Sequence, residues 1–199
     1  MSWSWVGVAA VGAVVLAAAI AAARGPTIPG WERRLFRAIN GLPGWCFVPL
    51  WPVMQLGNLA VGMLAGLAVA WAAGRWDIAV GVLLAAGLKL VVEKLLRREL
   101  QGRIPARVRP GTSQPGAVLR GGDVPRSGAS FPSGHALLVA ALACVVAPVL
   151  PSGWELLPGL LTLLVMIGRV YVGAHNPLDV ISGAAAGLVL GGLVVAVIA

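Results

Sequence analysis

The chain has 199 residues, of which 59% are hydrophobic and 11% charged, and its mean hydropathy is +0.90. Soluble domains carry about 45–50% apolar and about 25% charged residues, so this composition excludes a soluble enzyme, a disordered tail and a nucleic-acid-binding domain as primary interpretations. The net charge of +8 lies on short loops between apolar segments, a pattern typical of membrane topology and of contact with anionic headgroups.

Apolar segments long enough to cross a membrane recur along the chain. A helix needs about 20 residues to span the hydrocarbon core, and we predict six spans in a single membrane domain, residues 1–199. They are predicted at Trp5–Ala23, Gln55–Ala73, Ile78–Leu96, Gly134–Leu150, Glu155–Gly173 and Leu178–Ile198. The first lacks a preceding basic segment, which favours a retained helix over a cleaved signal peptide. The predicted fold class is all-α, an integral membrane bundle of six transmembrane helices.

The segments between these spans differ in character. Residues 24–37 combine arginines with Trp31 and Phe36, which predicts an interfacial helix before the second span. Residues 42–54 are apolar but contain three prolines, so we predict that this piece dips into the membrane or lies flat. Residues 97–132 are the one long polar segment, and a loop of this length is expected to be functional or disordered.

Charge placement tests the span count. Six alternating spans place residues 24–54, 97–132 and 169–177 on one face, with fourteen of the fifteen Lys and Arg residues on or near it. We therefore expect a multi-pass protein of the cell membrane. The positive-inside rule favours the cytoplasm for the polar face, and the opposite side stays open.

The first cluster of polar residues lies where the fourth span begins. Ser133 is a good helix N-cap and would leave free N–H groups pointing outward, which is an arrangement that binds anions. His135 would then lie in the first helical turn. The alternative is that Ser133 only caps the helix and His135 is an incidental interfacial residue, because capping sequences are common.

The second cluster joins the fifth and sixth spans. Arg169 lies near the end of the fifth span, and His175 and Asp179 straddle the start of the sixth. Residues four apart share a helix face, so the carboxylate can reach the imidazole. That contact would fix the tautomer and make the other ring nitrogen a better nucleophile or base. The alternative is a buried Asp–His pair that only ties two helices together.

The third cluster is a run of cations at and after the end of the third span: Lys89, Lys94, Arg97, Arg98, Arg103 and Arg109. Arginine offers a bidentate fork and lysine a point charge, so this run could clamp a phosphate. For most of these residues, a solvated loop that binds anionic lipid is the better interpretation, because only one or two can face a single phosphate.

All three clusters fall on one membrane face, at span ends. Together they supply cations and helix N-termini to hold a phosphate, one histidine beside an aspartate, and a second histidine. This combination indicates phosphoryl transfer through a phosphohistidine, in which positioning and charge stabilisation carry most of the catalysis and no metal or other cofactor is needed.

Two motifs together resemble a known family. The Pro-Ser-Gly-His of residues 132–135 and the later Arg169-x5-His175-x3-Asp179 look like those of the type 2 phosphatidic acid phosphatases, integral-membrane lipid phosphatases related to vanadium haloperoxidases. The resemblance covers roughly residues 78–199, which would be the phosphatase core. It also implies a six-span helical core, and bacterial relatives that act on recycled polyprenyl carriers usually face away from the cytoplasm.

The resemblance assigns roles to these residues. His175 would be the nucleophile, Asp179 would orient it, and His135 would protonate the leaving lipid oxygen. The residues that would hold the phosphoryl oxygens are Ser133, Gly134 and Arg169.

One family motif is irregular in this chain. The family reads Lys-x6-Arg-Pro near the end of the third span, and no lysine here has Arg-Pro at that spacing. Alignment by apolar pattern places the family's Arg-Pro on Leu100 and Gln101. Lys94 and Arg103 are the predicted phosphate-binding substitutes, and their rivals are Lys89, Arg98 and Arg109.

The sequence thus predicts a metal-independent membrane lipid phosphatase. Its substrate would be a phosphate or diphosphate ester, either a polyprenyl diphosphate or a phosphatidate-like lipid, and no nucleic acid would take part. The oligomeric state is not indicated. One alternative is a catalytically weakened or inactive family member that binds lipid or acts as a scaffold, which the irregular motif favours. Another is a transporter, which would predict inverted repeats that the sequence does not show.

Overall fold

The computed structural model describes residues 4–100, 102–104, 107–122 and 124–198. The regular secondary structure of this part of the chain is helical, apart from one isolated antiparallel bridge between Val108 and Ala129. Its α-helices are α1 (Trp5–Ala23), α2 (Gly30–Asn40), α3 (Phe47–Met54), α4 (Leu59–Ala72), α5 (Trp76–Leu100), α6 (Pro110–Ser113), α7 (Gly134–Val146), α8 (Leu157–Tyr171) and α9 (Pro177–Ile198). Short 3-10 turns lie at Gly44–Cys46, Gln55–Gly57 and Ala147–Val149. The prediction of an all-helical fold is confirmed.

Helix length limits the number of membrane spans that the described residues establish. The helices α1 and α9 are long and apolar enough to cross a membrane. A third span is reached if the bent pair Gly44–Gly57 and Leu59–Ala72 is taken as one. The helices α7 and α8 are apolar but shorter, and α5 carries several charges toward its C-terminal end. Among the described residues, length and composition therefore give two or three candidate spans, and the predicted six are not confirmed.

A sharp bend separates α3 from α4. The two helical segments meet at 79°, at a point where the sequence predicted a continuous span from Gln55 to Ala73. Asn58 breaks the helix because its backbone is extended and its side chain caps α4, accepting a hydrogen bond from the N–H of Ala60 at 3.0 Å. The bend leaves Gly57 facing the ends of α7 and α8, where the polar residues gather.

The core forms where α9 packs between α1 and α7. The α9 face toward α7 consists of glycines at four-residue spacing, Gly183, Gly187 and Gly191. A Cβ at any of them would overlap backbone atoms of α7 or of Ser133, the residue directly before it. Small residues therefore let the two helices approach closely, which fixes the start of α9 beside the start of α7. The N–H of Ser133 donates to the carbonyl of Asp179 at this junction, at 2.9 Å.

The helix α2 only partly follows the prediction of an interfacial helix with aromatic anchors. Trp31 is exposed, as an anchor would be, but Phe36 is buried and packs against Val170 and Val180. Asn40 ends the helix and donates from Nδ2 to the carbonyls of Val118 and Tyr171. The inner face of α2 is therefore fixed to the protein core.

The long polar segment folds back over the same end of the bundle. The N–H of Arg109 donates to the carbonyl of Gly128 at 2.9 Å, and the N–H of Ser130 donates to that of Arg107 at 3.0 Å. The short helix α6 lies between these paired stretches. In its described residues the segment is a structured cover, which brings arginines distant in sequence onto the ends of α7, α8 and α9.

Candidate active site

A polar cavity of about 290 Å³ opens at the end of the bundle where α7 and α9 begin and α8 ends. Both histidines of the chain face it, and so do four cations. Its lining residues are Gly57, Asn58, Leu59, Lys89, Glu93, Arg97, Arg109, Pro125, Gly134, His135, Arg169 and His175. The structure thus brings together residues from all three sequence clusters.

His175 is positioned by the tight connection between α8 and α9. Gly173 adopts a left-handed conformation with φ of 77°, which lets the chain reverse directly after α8. The N–H groups of Ala174 and His175 both donate to the carbonyl of Arg169, at 3.0 and 3.3 Å. Pro177 then starts α9, where its missing N–H costs nothing.

The tautomer of His175 follows from its contact with Arg109. Arg109 Nη1 lies 3.2 Å from His175 Nε2 and donates to the carbonyl of Ala174 at 2.7 Å. A guanidinium can only donate, so Nε2 must accept and the ring proton lies on Nδ1. Burial lowers the pKa of His175 to about 4, which keeps the ring neutral at physiological pH. Its Nε2 therefore carries the lone pair that a nucleophile needs.

Asp179 lies on the other side of the imidazole. Its Oδ2 is 3.8 Å from His175 Nδ1, longer than a hydrogen bond but close enough for a strong charge effect. The same oxygen accepts a hydrogen bond from the N–H of Asn176 at 2.8 Å, which fixes its orientation at the start of α9. Asp179 is fully buried and does not line the cavity, so it can reach the reacting atoms only through His175.

His135 faces the cavity from the first turn of α7, and the bend before α4 sets its position. A Cβ on Gly57 would come within 2.7 Å of His135 Cβ and 2.8 Å of His135 Cδ2. Only glycine fits at this position without displacing the ring. Sequence reasoning missed Gly57, because its partner lies 78 residues further along the chain.

The two residues before His135 lie in different environments. Ser133 caps α7, with its Oγ 3.5 Å from the N–H of Ala136, and it is buried outside the cavity lining. Gly134 borders the cavity through its backbone. A direct contact of the Ser133 hydroxyl with phosphate stays a prediction.

The cations at the cavity include two of the rivals named for the irregular motif, Lys89 and Arg109, but not the pair predicted first. Lys89 and Arg97 of α5 line it, together with Arg109 and Arg169. The predicted pair, Lys94 and Arg103, lies elsewhere: both are exposed, and neither lines the cavity.

Sequence reasoning also missed a buried ion pair behind Asp179. Arg107 Nη1 lies 2.7 Å from Glu32 Oε1 and 3.7 Å from Asp179 Oδ1. Glu32 Oε1 also accepts a hydrogen bond from the N–H of Leu178, at 2.9 Å. The pair links α2, the polar segment and the start of α9. The sequence pattern of residues 24–37 predicts an interfacial helix, and no spacing in the sequence marks Glu32 as a buried residue.

Comparison with known proteins identifies similar chains. The family model described as "PAP2 superfamily" matches residues 78–199. An undecaprenyl-diphosphatase of Sulfolobus acidocaldarius is 46% identical over 54 residues, which are 27% of this chain and 26% of that protein. The chain therefore matches about a quarter of the length of this curated relative.

Two solved structures share the fold. A PAP2-type phosphatidylglycerolphosphate phosphatase of Bacillus subtilis superposes with a TM-score of 0.64 at 25% identity, covering 98% of this chain and 96% of that one. LpxE of Aquifex aeolicus gives a TM-score of 0.65 at 24% identity, covering 82% and 93%. The first likeness extends over nearly the whole of both chains.

Proposed function

The chain belongs to the PAP2 superfamily, and we propose that it is a metal-independent lipid phosphatase that hydrolyses a phosphate or diphosphate ester at the membrane surface. One observation carries the proposal: both histidines and four cations face a single cavity of about 290 Å³. The names of the relatives, a diphosphatase of undecaprenyl and a phosphatase of phosphatidylglycerolphosphate, support a lipid substrate.

The reaction would proceed through a phosphohistidine. Nε2 of His175 attacks the phosphorus, and the bond from phosphorus to the leaving oxygen breaks while His135 supplies a proton to that oxygen. Water then attacks the phosphohistidine, transfers a proton to His135 and releases inorganic phosphate with neutral His175. Asp179 stabilises the positive charge that develops on the imidazole in each step.

Arg109 would have two roles in this reaction. In the resting site it donates to Nε2 of His175, so it holds the nucleophile in the correct tautomer. When a phosphate enters, the same guanidinium can donate to a phosphoryl oxygen and release the lone pair. Lys89, Arg97 and Arg169 would hold the remaining charge, as expected for phosphoryl transfer that depends on electrostatic stabilisation.

An apolar groove beside the site supports a substrate with a long hydrocarbon chain. Its volume is about 150 Å³ and it lies between α4, α7 and α8. Leu56 lines the groove, and the next residue, Gly57, lines the polar cavity. A lipid could therefore place its phosphate at the histidines and its chain in the groove. We also propose six membrane-crossing segments, in which α5, α7 and α8 join α1, α9 and the bent pair Gly44–Gly57 and Leu59–Ala72.

Phosphate release by the purified protein tests the proposal. The assay contains EDTA and a panel of a polyprenyl diphosphate, a polyprenyl monophosphate, phosphatidic acid and phosphatidylglycerophosphate. We expect release from at least one lipid by the wild type and none by His175→Ala, with lipid binding retained in the variant. Release that survives in His175→Ala would refute the phosphohistidine mechanism. No release from any lipid would favour the lipid-binding scaffold.

A further inference from the structure

Among the described residues that line the cavity, Glu93 is the one acidic residue, beside four cations that would bind phosphate. Its Oε2 lies 2.7 Å from Lys89 Nζ and its Oε1 lies 2.8 Å from Arg97 Nη2. The carboxylate therefore forms an ion pair with two of the four cations that line the cavity. In the proposed function these two side chains must instead donate to the substrate.

The same carboxylate lies at the start of α7. A Cβ on Gly134 would come within 2.5 Å of Glu93 Oε2 and 2.6 Å of Glu93 Oε1. Glu93 thus lies directly against the backbone of Gly134, the first residue of α7 and the neighbour of His135, and a helix N-terminus attracts anions. Two independent contacts, the cation pair and the backbone of Gly134, place this carboxylate inside the site.

A carboxylate and a phosphate make the same demands on their surroundings. Both are anions that accept charge-assisted hydrogen bonds from lysine, arginine and helix N-termini. They cannot both use the same donors, and the repulsion between two anions in a partly enclosed cavity adds to the competition. A surface ion pair at i, i+4 spacing would not explain this position, because the Glu93 side chain is only 19% exposed.

We propose that Glu93 is an internal competitor for the substrate's phosphate, which neutralises Lys89 and Arg97 in the resting site and is displaced when substrate binds. This inference rests on the proposed function. Glu93 weakens the binding of phosphate and so favours release of the inorganic phosphate that the reaction produces. The other role open to Glu93 is that of a brace that holds Lys89 and Arg97 in place, and the two roles predict opposite results.

The test compares Glu93→Gln with the wild type and with Glu99→Gln as a matched control. Glu99 lies on the same helix, is exposed and does not line the cavity, so its variant removes the same charge away from the site. Isothermal titration with inorganic phosphate, in detergent and at low ionic strength, measures affinity without any need for turnover. We expect Glu93→Gln to bind phosphate about three- to tenfold more tightly than either the wild type or Glu99→Gln.

Kinetics on the best lipid of the panel give a second readout. A competitor in the resting site raises KM more than it affects kcat, so Glu93→Gln should lower KM by a factor similar to the gain in phosphate affinity. If Glu93 instead holds Lys89 and Arg97 in place, Glu93→Gln should have a higher KM and weaker phosphate binding than the wild type.

Phosphate affinity in Glu93→Gln that is weaker than the wild type, or equal to that of Glu99→Gln, would overturn the inference. Glu93→Ala serves as a second variant if the glutamine variant does not insert, and the same tightening is expected for it. Failure of the proposed function has a different signature, since the wild type would then release no phosphate from any lipid while the titration still reports on Glu93.

Discussion

Replacing Arg107 with methionine should destabilise the protein by about 3–5 kcal/mol, because the change leaves one half of a buried ion pair behind. Arg107 Nη1 lies 2.7 Å from Glu32 Oε1, and both side chains are at most 2% exposed. With the guanidinium gone, the donor that still contacts Oε1 is the backbone N–H of Leu178 at 2.9 Å. Methionine adapts to irregular apolar space, so the loss reports mainly on charge and hydrogen bonding.

A double-mutant cycle separates the pair from its surroundings. Glu32→Gln removes the opposite charge, and the double variant with Arg107→Met removes both. A buried pair that is replaced as a whole costs much less than one that is broken. The double variant should therefore be more stable than the sum of the two single losses predicts, with a coupling energy of about 1–3 kcal/mol.

The assay is reversible unfolding in mixed micelles, titrated with SDS and followed by the fluorescence of the eight tryptophans. Activity is measured on the folded variants, since Arg107 also lies 3.7 Å from Asp179 Oδ1 and its loss should lower kcat. Strictly additive losses would refute the reasoning. So would a loss for Arg107→Met below about 1 kcal/mol, the value typical of an exposed pair.

Three further predictions concern the active site. Because burial lowers the pKa of His175, the proposed nucleophile, to about 4, its ring stays unprotonated well below pH 6.5; the acid limb of kcat/KM should therefore lie below pH 6.5, and an acid limb at pH 6.5 would contradict this prediction. Gly57→Ala should displace His135, the proposed general acid, and lower kcat at least about tenfold, whereas Gly87→Ala, whose added Cβ would have no atom within 4 Å, should leave kcat unchanged. Lys89→Met should raise KM and lower kcat for the lipid substrate, and the exposed Lys94→Met should alter neither; equal effects would show that the cavity does not bind the phosphate.

The helical fold was predictable because its signals are local. Apolar segments, prolines and capping residues lie next to the helices that they begin or end. The predicted starts of the first, fourth and sixth spans fall within one residue of the first residues of α1, α7 and α9. The family resemblance, carried by two short motifs, is confirmed by the match to residues 78–199. The 79° bend before α4 was not predicted, since the predicted second span runs from Gln55 through the bend to Ala73. It depends on Asn58, a single residue whose capping preference competes with an otherwise apolar segment.

The choice among the cations shows what local patterns cannot decide. The helix α5 continues to Leu100, four residues beyond the predicted end of the third span, so Lys89, Glu93 and Arg97 form one row at four-residue spacing. Residues at this spacing share a face, and here that face borders the cavity. Lys94 lies one position beyond Glu93, about 100° further around the helix, which turns it away from the row. The family spacing of the motif selects residues by count along the chain, whereas the phosphate would select them by the face of the helix that meets the two histidines.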